Sequence, residues 1–359
     1  MPLDETALIS GPRGRRFLYA VAIEDVTADT ASIDLAQALF RDAVDYINST
    51  NDRGGVAYIR EVTDDSDDAD ESDAPVEPAP RENPSIEQLA AALKEVTLPE
   101  VTALTAFSAL ETAVDSAIYW EEPDGPDEIL TRPALRPGLS RIAAHALASP
   151  EVAWWDAPMA SEQWAVTFTD STHPPAPDWT AAETFQRWKT EGGFDWGWWS
   201  IPPGALTSTT QRPEGLWPLG LSMIEDTFGW EKAYADRLVI PPTARIFEIT
   251  GADAWAWLCR TYPLVTSGSA REWRDTTGRN GKWMIPDWSL VARDFDAVHL
   301  TVSAYLCSAG TAIAINDEFA SVIAGWHPDQ TFWLTDVLTD ETTRVSWACN
   351  HEDRGWHRD

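Results

Sequence analysis

Apolar positions in the first part of the chain recur at helical spacing. In IDLAQALFRDAVDYIN (33 to 48), Leu35, Leu39, Ala43 and Ile47 fall four residues apart, which predicts an amphipathic helix with those side chains inward. Ser85 followed by Gln88 predicts a capped helix start. Apolar stripes then run through EVTALTAFSALETAVDSAIYW (100 to 120) and PALRPGLSRIAAHALAS (133 to 149). From about residue 151 the pattern changes. Short alternating stretches predict strands at 164–168, 197–202 (GWWSIP), 237–240, 244–249, 297–302 and 331–336. Helical patterns sit between them in TAAETFQRWKTE, DAWAWLCRTYP and DWSLVARDF, with Asp253 and Asp287 where caps belong. The mixing is irregular, and no Gly-rich turn opens a βαβ unit. The expected class is α+β, a helical N-terminal domain followed by a Trp-rich mixed α+β domain.

Five segments follow from these patterns. Residues 1–60 are an N-terminal helical segment. Residues 61–84 carry ten acids and four prolines with almost no large apolar side chain, and read as a disordered acidic loop. Residues 85–150 complete the helical domain, 151–340 form the Trp-rich domain, and 341–359 read as a polar, solvated tail. GPRGRR (11 to 16) reads as a helix N-terminal turn with solvated arginines, and it lacks the spacing of a phosphate loop. His145, among alanines on a helix, reads as a packed core histidine.

Charge narrows the function classes. The chain has 58 acidic and 26 basic residues, a net of -32, which disfavours phosphate backbones and anionic membrane surfaces. Neither nucleic acid nor membrane is an expected partner. The long uncharged run at 297–315 reads as a strand and a turn, not a membrane span. Three widely spaced cysteines (Cys259, Cys307, Cys349) and an acidic start, MPLDETALISG, suit a cytoplasmic protein with reduced thiols. The 20 tryptophans either build a core or, in part, line a pocket for a flat ligand. No metal-ligand spacing is present, and none of the common nucleophile signatures.

Candidate chemistry gathers in the second domain. GWWSIPPGALTSTT sets Trp198 and Trp199 before Ser200; period two would put Ser200 at a short strand end facing a cleft, with one indole inward and the other toward the cleft. IEDTFGWEKA carries Glu225 and Asp226. PDWSLVARDFDAVHLTV carries Asp294 and Asp296 around a helix–strand junction, then His299, facing away from Val298 and Leu300 into a cleft or toward solvent. GWHPDQTFWL places Trp326 and Asp329 on a turn. SAREWRDTTGRNG (269 to 281) reads as a polar loop with Arg271, Arg274 and Arg279.

Together, GPRGRR, W-W-S-x-P, E-D-x-x-G-W, R-I-F-E-I, P-D-W-x-x-V-A-x-D-x-D-A-V-H-L-T-V and A-G-W-x-P-D-x-T-x-W-L resemble an uncharacterised actinobacterial Trp-rich family, over residues 197 to 338. More faintly, their order is similar to ADP-ribosyltransferase-like domains. That resemblance implies an NAD- or nucleotide-processing protein with NAD as cofactor and no metal. Trp199-Ser200 would be its aromatic–Ser pair, and Glu225 or Asp329 its acid. The chemistry is consistent: a carboxylate steadies the positive charge that develops on the ribose when the nicotinamide bond breaks. Arg245, Arg271, Arg274 or Arg279 would hold the diphosphate, with His299 beside the cofactor. The alternative is a non-catalytic interaction module that docks a protein partner through its Trp-rich domain, with the acidic loop regulatory.

Overall fold

The computed structural model describes residues 3–24, 31–50, 84–169, 179–193, 197–225, 229–338, 342–350 and 355–359. Most of the acidic loop, Asp226 and His351 lie outside the described residues. The described chain is mixed α+β: N-terminal helices, then three small four-stranded sheets with many tryptophan clusters.

Helices α1 (Glu5–Ser10) and α2 (Pro12–Tyr19) meet at Gly11, with Pro12 in the first turn of α2, where its missing N–H costs nothing. A β-carbon on Gly14 would stand 1.9 Å from the Leu8 carbonyl oxygen, and one on Gly11 2.3 Å from that of Leu306. The glycines of GPRGRR therefore let backbones touch. Its arginines are not solvated, contrary to the sequence reading. Arg13 and Arg16 are buried, and both reach Asp127 on α6 (Gly125–Leu130), at 2.7 and 2.9 Å. Arg16 also meets Asp124, and Arg13 donates to the Ala113 carbonyl and Ser116 Oγ.

Helix α3 (Ala31–Thr50) forms where predicted, but turned about its axis: Ala36, Phe40 and Ala43 are buried while Leu35 is 56% exposed. Ser85 and Gln88 make a reciprocal capping box on α4 (Ile86–Glu95). Thr102 caps α5 (Ala103–Asp115), shorter than its apolar stripe. A 3-10 turn at Pro133–Leu135 leads into α7 (Arg136–Leu147), where His145 Nε2 meets the Pro99 carbonyl at 2.7 Å.

The first sheet has order β1-β3-β11-β12, from Glu162–Phe168, Lys232–Val239, Thr342–Asn350 and Gly355–Arg358. Its last two strands correct the polar-tail reading. Trp347 and Trp356 help close a small core with Trp164 beneath that sheet, which gives the C-terminal stretch an apolar face. The second sheet has order β2-β10-β7-β4, from Ser208–Thr209, Thr331–Trp333, Ala297–Leu300 and Ile246–Ile249. The third has order β5-β6-β9-β8, from Pro263–Thr266, Lys282–Pro286, Phe319–Ser321 and Ile313–Ala314. Among the described strands only β4–β7 and β6–β9 pair in parallel.

Helices α8 (Ala181–Thr190), α9 (Ala252–Thr261) and α11 (Trp288–Asp294) follow the predicted patterns, and Asp287 caps α11. Gly251, not Asp253, holds the cap position of α9. Two readings fail. The expected polar loop at 269–281 contains α10 (Ala270–Thr277), anchored by the buried Trp273, and the run after β7 is α12 (Val302–Ser308). One continuous core joins the N-terminal helices to the second and third sheets. Among the described residues no helix is long and apolar enough to cross a membrane.

Candidate functional site

Ser200 lies outside any strand and is fully buried. Its N–H donates to the Ala324 carbonyl at 3.0 Å, its hydroxyl donates to that same oxygen at 3.2 Å, and its Oγ accepts from the Ala324 N–H at 2.9 Å. Its polar atoms are thus spent on one neighbour's backbone, and it lines none of the clefts described below. The expected strand end facing a cleft is absent because Ser200 ties this segment to the one that follows β9. The doublet does split. Trp198 is half-buried against Tyr119 and Trp120, and its carbonyl accepts from the Trp273 indole at 2.8 Å. Trp199 is 53% exposed and lies so close over Gly325 that a β-carbon there would meet its Cδ1 at 2.5 Å.

His299 and Asp329 do come together, with a third group that the sequence reading missed. Parallel pairing sets Glu248 on β4 opposite His299 on β7. Antiparallel pairing sets Thr331 on β10 opposite His299, which brings Asp329 alongside. Glu248 Oε2 meets His299 Nδ1 at 2.6 Å, and Asp329 Oδ1 meets Nε2 at 3.3 Å. Glu248 also accepts from the Met159 N–H at 3.0 Å, and Asp329 accepts from the Gln211 N–H and side-chain amide at 2.8 and 3.0 Å. Asp329 has φ +62°, the single positive value on a non-glycine among the described residues, a conformation that a short polar side chain tolerates. The one signal for Glu248 was an acid inside an apolar strand, R-I-F-E-I, where burial demands a partner.

Burial alone would lower the His299 pKa, but hydrogen bonds to Asp329 and Glu248, and their charge, raise it to about 9. The ring is therefore an imidazolium with both nitrogens engaged. Such a histidine cannot accept a proton from a substrate; it ties three strands' ends together. Because its folded value lies above the ordinary 6.5, its contribution is complete below pH 6.5 and fades as pH rises through 9. At 1.36 kcal/mol per unit, about 3 kcal/mol of stability should disappear across that window. Urea midpoints at pH 6 to 9 check this: His299→Gln should start less stable but lack the wild-type decline. Parallel declines in the two proteins would refute it.

The candidate arginines do not converge. Arg245 grips Asp296 through Nε, Nη2 and its backbone N–H at 3.0, 2.9 and 2.9 Å, at the start of the β4–β7 pair, and this holds the Asp296 carboxyl below its usual range. Arg271 is 82% exposed on α10, 3.7 Å from Asp275. Arg279 stacks over Trp283 at 5.0 Å and donates to the Lys282 and Glu318 carbonyls. Glu225 keeps different company. It shares an electrostatic neighbourhood with Arg13, Tyr119 and Tyr305; burial first, then the charge of Glu225, drives both phenols well up.

A cleft of about 250 Å³ opens between α5 and the loop at 211–219. Phe107, Leu110, Trp154, Trp155 and Leu219 form its walls, with Glu151 and Glu214 among its polar groups. Gln211, the residue that holds Asp329, also lines it. Arg212 in the same wall is occupied, since its Nε donates to the Leu216 carbonyl and its guanidinium lies over Trp164 and Trp347. This arrangement can enclose an apolar group and attract positive charge. Among the described residues no three His, Cys, Asp or Glu side chains are placed to hold a metal ion. No family model, curated protein or solved structure matches the chain, so the two resemblances rest on the quoted motifs alone.

Proposed function

We propose that this chain is a non-catalytic recognition module. It binds a basic protein partner that inserts an apolar side chain into the cleft between α5 and the 211–219 loop. One observation carries the reading: the polar groups expected to do chemistry are consumed inside the fold. Ser200 is bonded to Ala324, His299 to two carboxylates, Asp329 to His299 and Gln211, and Arg245 to Asp296. A nucleophile, base or phosphate clamp needs a free lone pair or donor facing a cavity. The partner's sign follows from the net charge of -32 and from Glu151 and Glu214 at the cleft.

A second reading draws on Glu225 near Arg13 and Tyr119, two residues that line a cavity described below. That is an NAD- or nucleotide-processing protein on an ADP-ribosyltransferase-like fold, with Glu225 as its acid. Incubation with millimolar NAD separates the two. The recognition module releases no nicotinamide above a protein-free blank, whereas release that vanishes in Glu225→Gln would establish the second reading. The cleft is tested with 5-fluorotryptophan-labelled protein and a Lys-Trp-Lys peptide. The peptide should move the Trp154 and Trp155 fluorine resonances, and Ala103→Trp, which fills the cleft mouth, should abolish the movement. Unmoved resonances at millimolar peptide would place the partner face elsewhere.

A further inference from the structure

Away from the Trp-walled cleft, two cavities of about 240 and 310 Å³ share Arg15 and Thr131 in their walls. The first is also lined by Arg13, Tyr119, Asp127 and Gly310, and the second by Arg132, Arg136 and Leu139. Four arginines thus face two adjoining lobes in a molecule of charge -32. Asp127 is the one carboxylate in either wall, and Arg13 and Arg16 already engage it.

We propose that these lobes form a binding site for a small phosphomonoester, its phosphoryl group held by Arg15, Arg132 and Arg136 and its apolar body resting in the lobe beside Tyr119. Arg15 is fixed for the task. Its Nη1 donates to the Ile9 and Ser10 carbonyls at 3.0 and 2.9 Å, while its buried Nε has no acceptor among the described residues. A buried guanidinium N–H left open is costly, and a phosphoryl oxygen satisfies it. No carboxylate among the described residues lies within ion-pair distance of Arg15. Burial and the like charge of Arg13 lower its pKa against the pull of Asp127, a penalty that a bound dianion relieves.

Arg136 is exposed, and its side chain makes no hydrogen bond or ion pair among the described residues. It opens α7, which has no capping side chain, so the positive end of the helix dipole adds to the same lobe. Arg132 pairs with Glu128 at 2.5 Å, but both are substantially exposed, and such a pair exchanges readily for a dianion. The hydroxyls nearby narrow the ligand. Ser10, Thr131, Thr276, Thr277 and Thr311 all donate to backbone carbonyls, so the donors left for a ligand are guanidinium N–H groups and the buried Tyr119 hydroxyl. That favours an anion over a neutral polyol. Three guanidiniums around one lobe favour a phosphoryl group, which brings close to two charges and three acceptor oxygens, over a lone carboxylate with one charge and two oxygens.

Titration calorimetry with phenyl phosphate, inorganic phosphate and benzoate, at constant ionic strength, tests the site. Phenyl phosphate should bind best, phosphate more weakly and benzoate least. Arg136→Gln, on the surface, should weaken phenyl phosphate about tenfold while leaving the melting temperature unchanged. Arg15→Gln should weaken it at least as much, and Arg271→Gln, on α10, should not. Absence of heat with phenyl phosphate, equal binding by benzoate, or full affinity in Arg136→Gln would each overturn the proposal. None of these results depends on nicotinamide release or on the Trp-walled cleft.

Discussion

Asp127→Ala should destabilise the protein by about 3–5 kcal/mol, the cost of leaving buried charge without its partner. One carboxylate, its side chain 8% exposed, is shared by two buried guanidiniums, at 2.7 Å from Arg13 and 2.9 Å from Arg16. After truncation Arg16 keeps Asp124, whereas Arg13 keeps only the Ala113 carbonyl and the Ser116 hydroxyl. Neither of those neutral groups offsets a desolvated cation. Asp124→Ala should cost distinctly less, because that carboxylate is 34% exposed and water can replace it. Asp127→Asn should fall between, since the amide oxygen still accepts one hydrogen bond without carrying charge. Urea midpoints at constant m-value read all three. Equal losses for Asp127→Ala and Asp124→Ala would show that the buried cluster carries no special burden.

The same cluster shows what the sequence displays and what it hides. G-P-R-G-R-R reads as a helix start, and one is there, because Pro and Gly act through local backbone geometry. Nothing local says that Arg13 and Arg16 turn inward. Their partner lies more than a hundred residues away on α6, and only the packed fold brings it near. Helices with strong stripes or caps, such as α4, α8 and α11, were legible for the same local reason. GWWSIP failed because two indoles imitate strand propensity, while a bond to Ala324, over a hundred residues on, decides the conformation. The candidate site divides along this line. His299 and Asp329 stood out as polar residues in or beside apolar strands, but their meeting with Glu248 depends on strand register, which no single segment encodes. Arg271 and Arg279 attracted notice by charge alone, and charge says nothing about direction.

Trp326 sharpens the contrast between the two readings of the tryptophans, and Trp326→Ala should cost about 3–5 kcal/mol. Trp326, placed on a turn by G-W-H-P-D-Q, is fully buried, with ring centroids 6.1 Å from Trp255, 6.0 Å from Trp288 and 5.2 Å from Phe332. Two of these three contacts are edge to face, the arrangement that the aromatic quadrupole favours, so truncation removes oriented contacts as well as buried area. The void would be walled by Trp255 on α9, Trp288 on α11 and Phe332 on β10, large buried rings carried by three different elements, so it should close poorly. Trp326→Phe separates packing from polarity. The indole Nε1 of Trp326 is buried with no acceptor among the described residues, so phenylalanine deletes an unsatisfied donor while keeping most of the ring contact. Its cost should therefore stay below about 1.5 kcal/mol, as volume-preserving apolar exchanges usually do. If Phe is as damaging as Ala, the indole N–H has a partner in solution, such as a buried water. If Ala is tolerated with a loss under about 1 kcal/mol, the Trp255–Trp288–Trp326 group is not the core of the fold, and the tryptophans' other reading, a pocket for a flat ligand, would then be the better account of them.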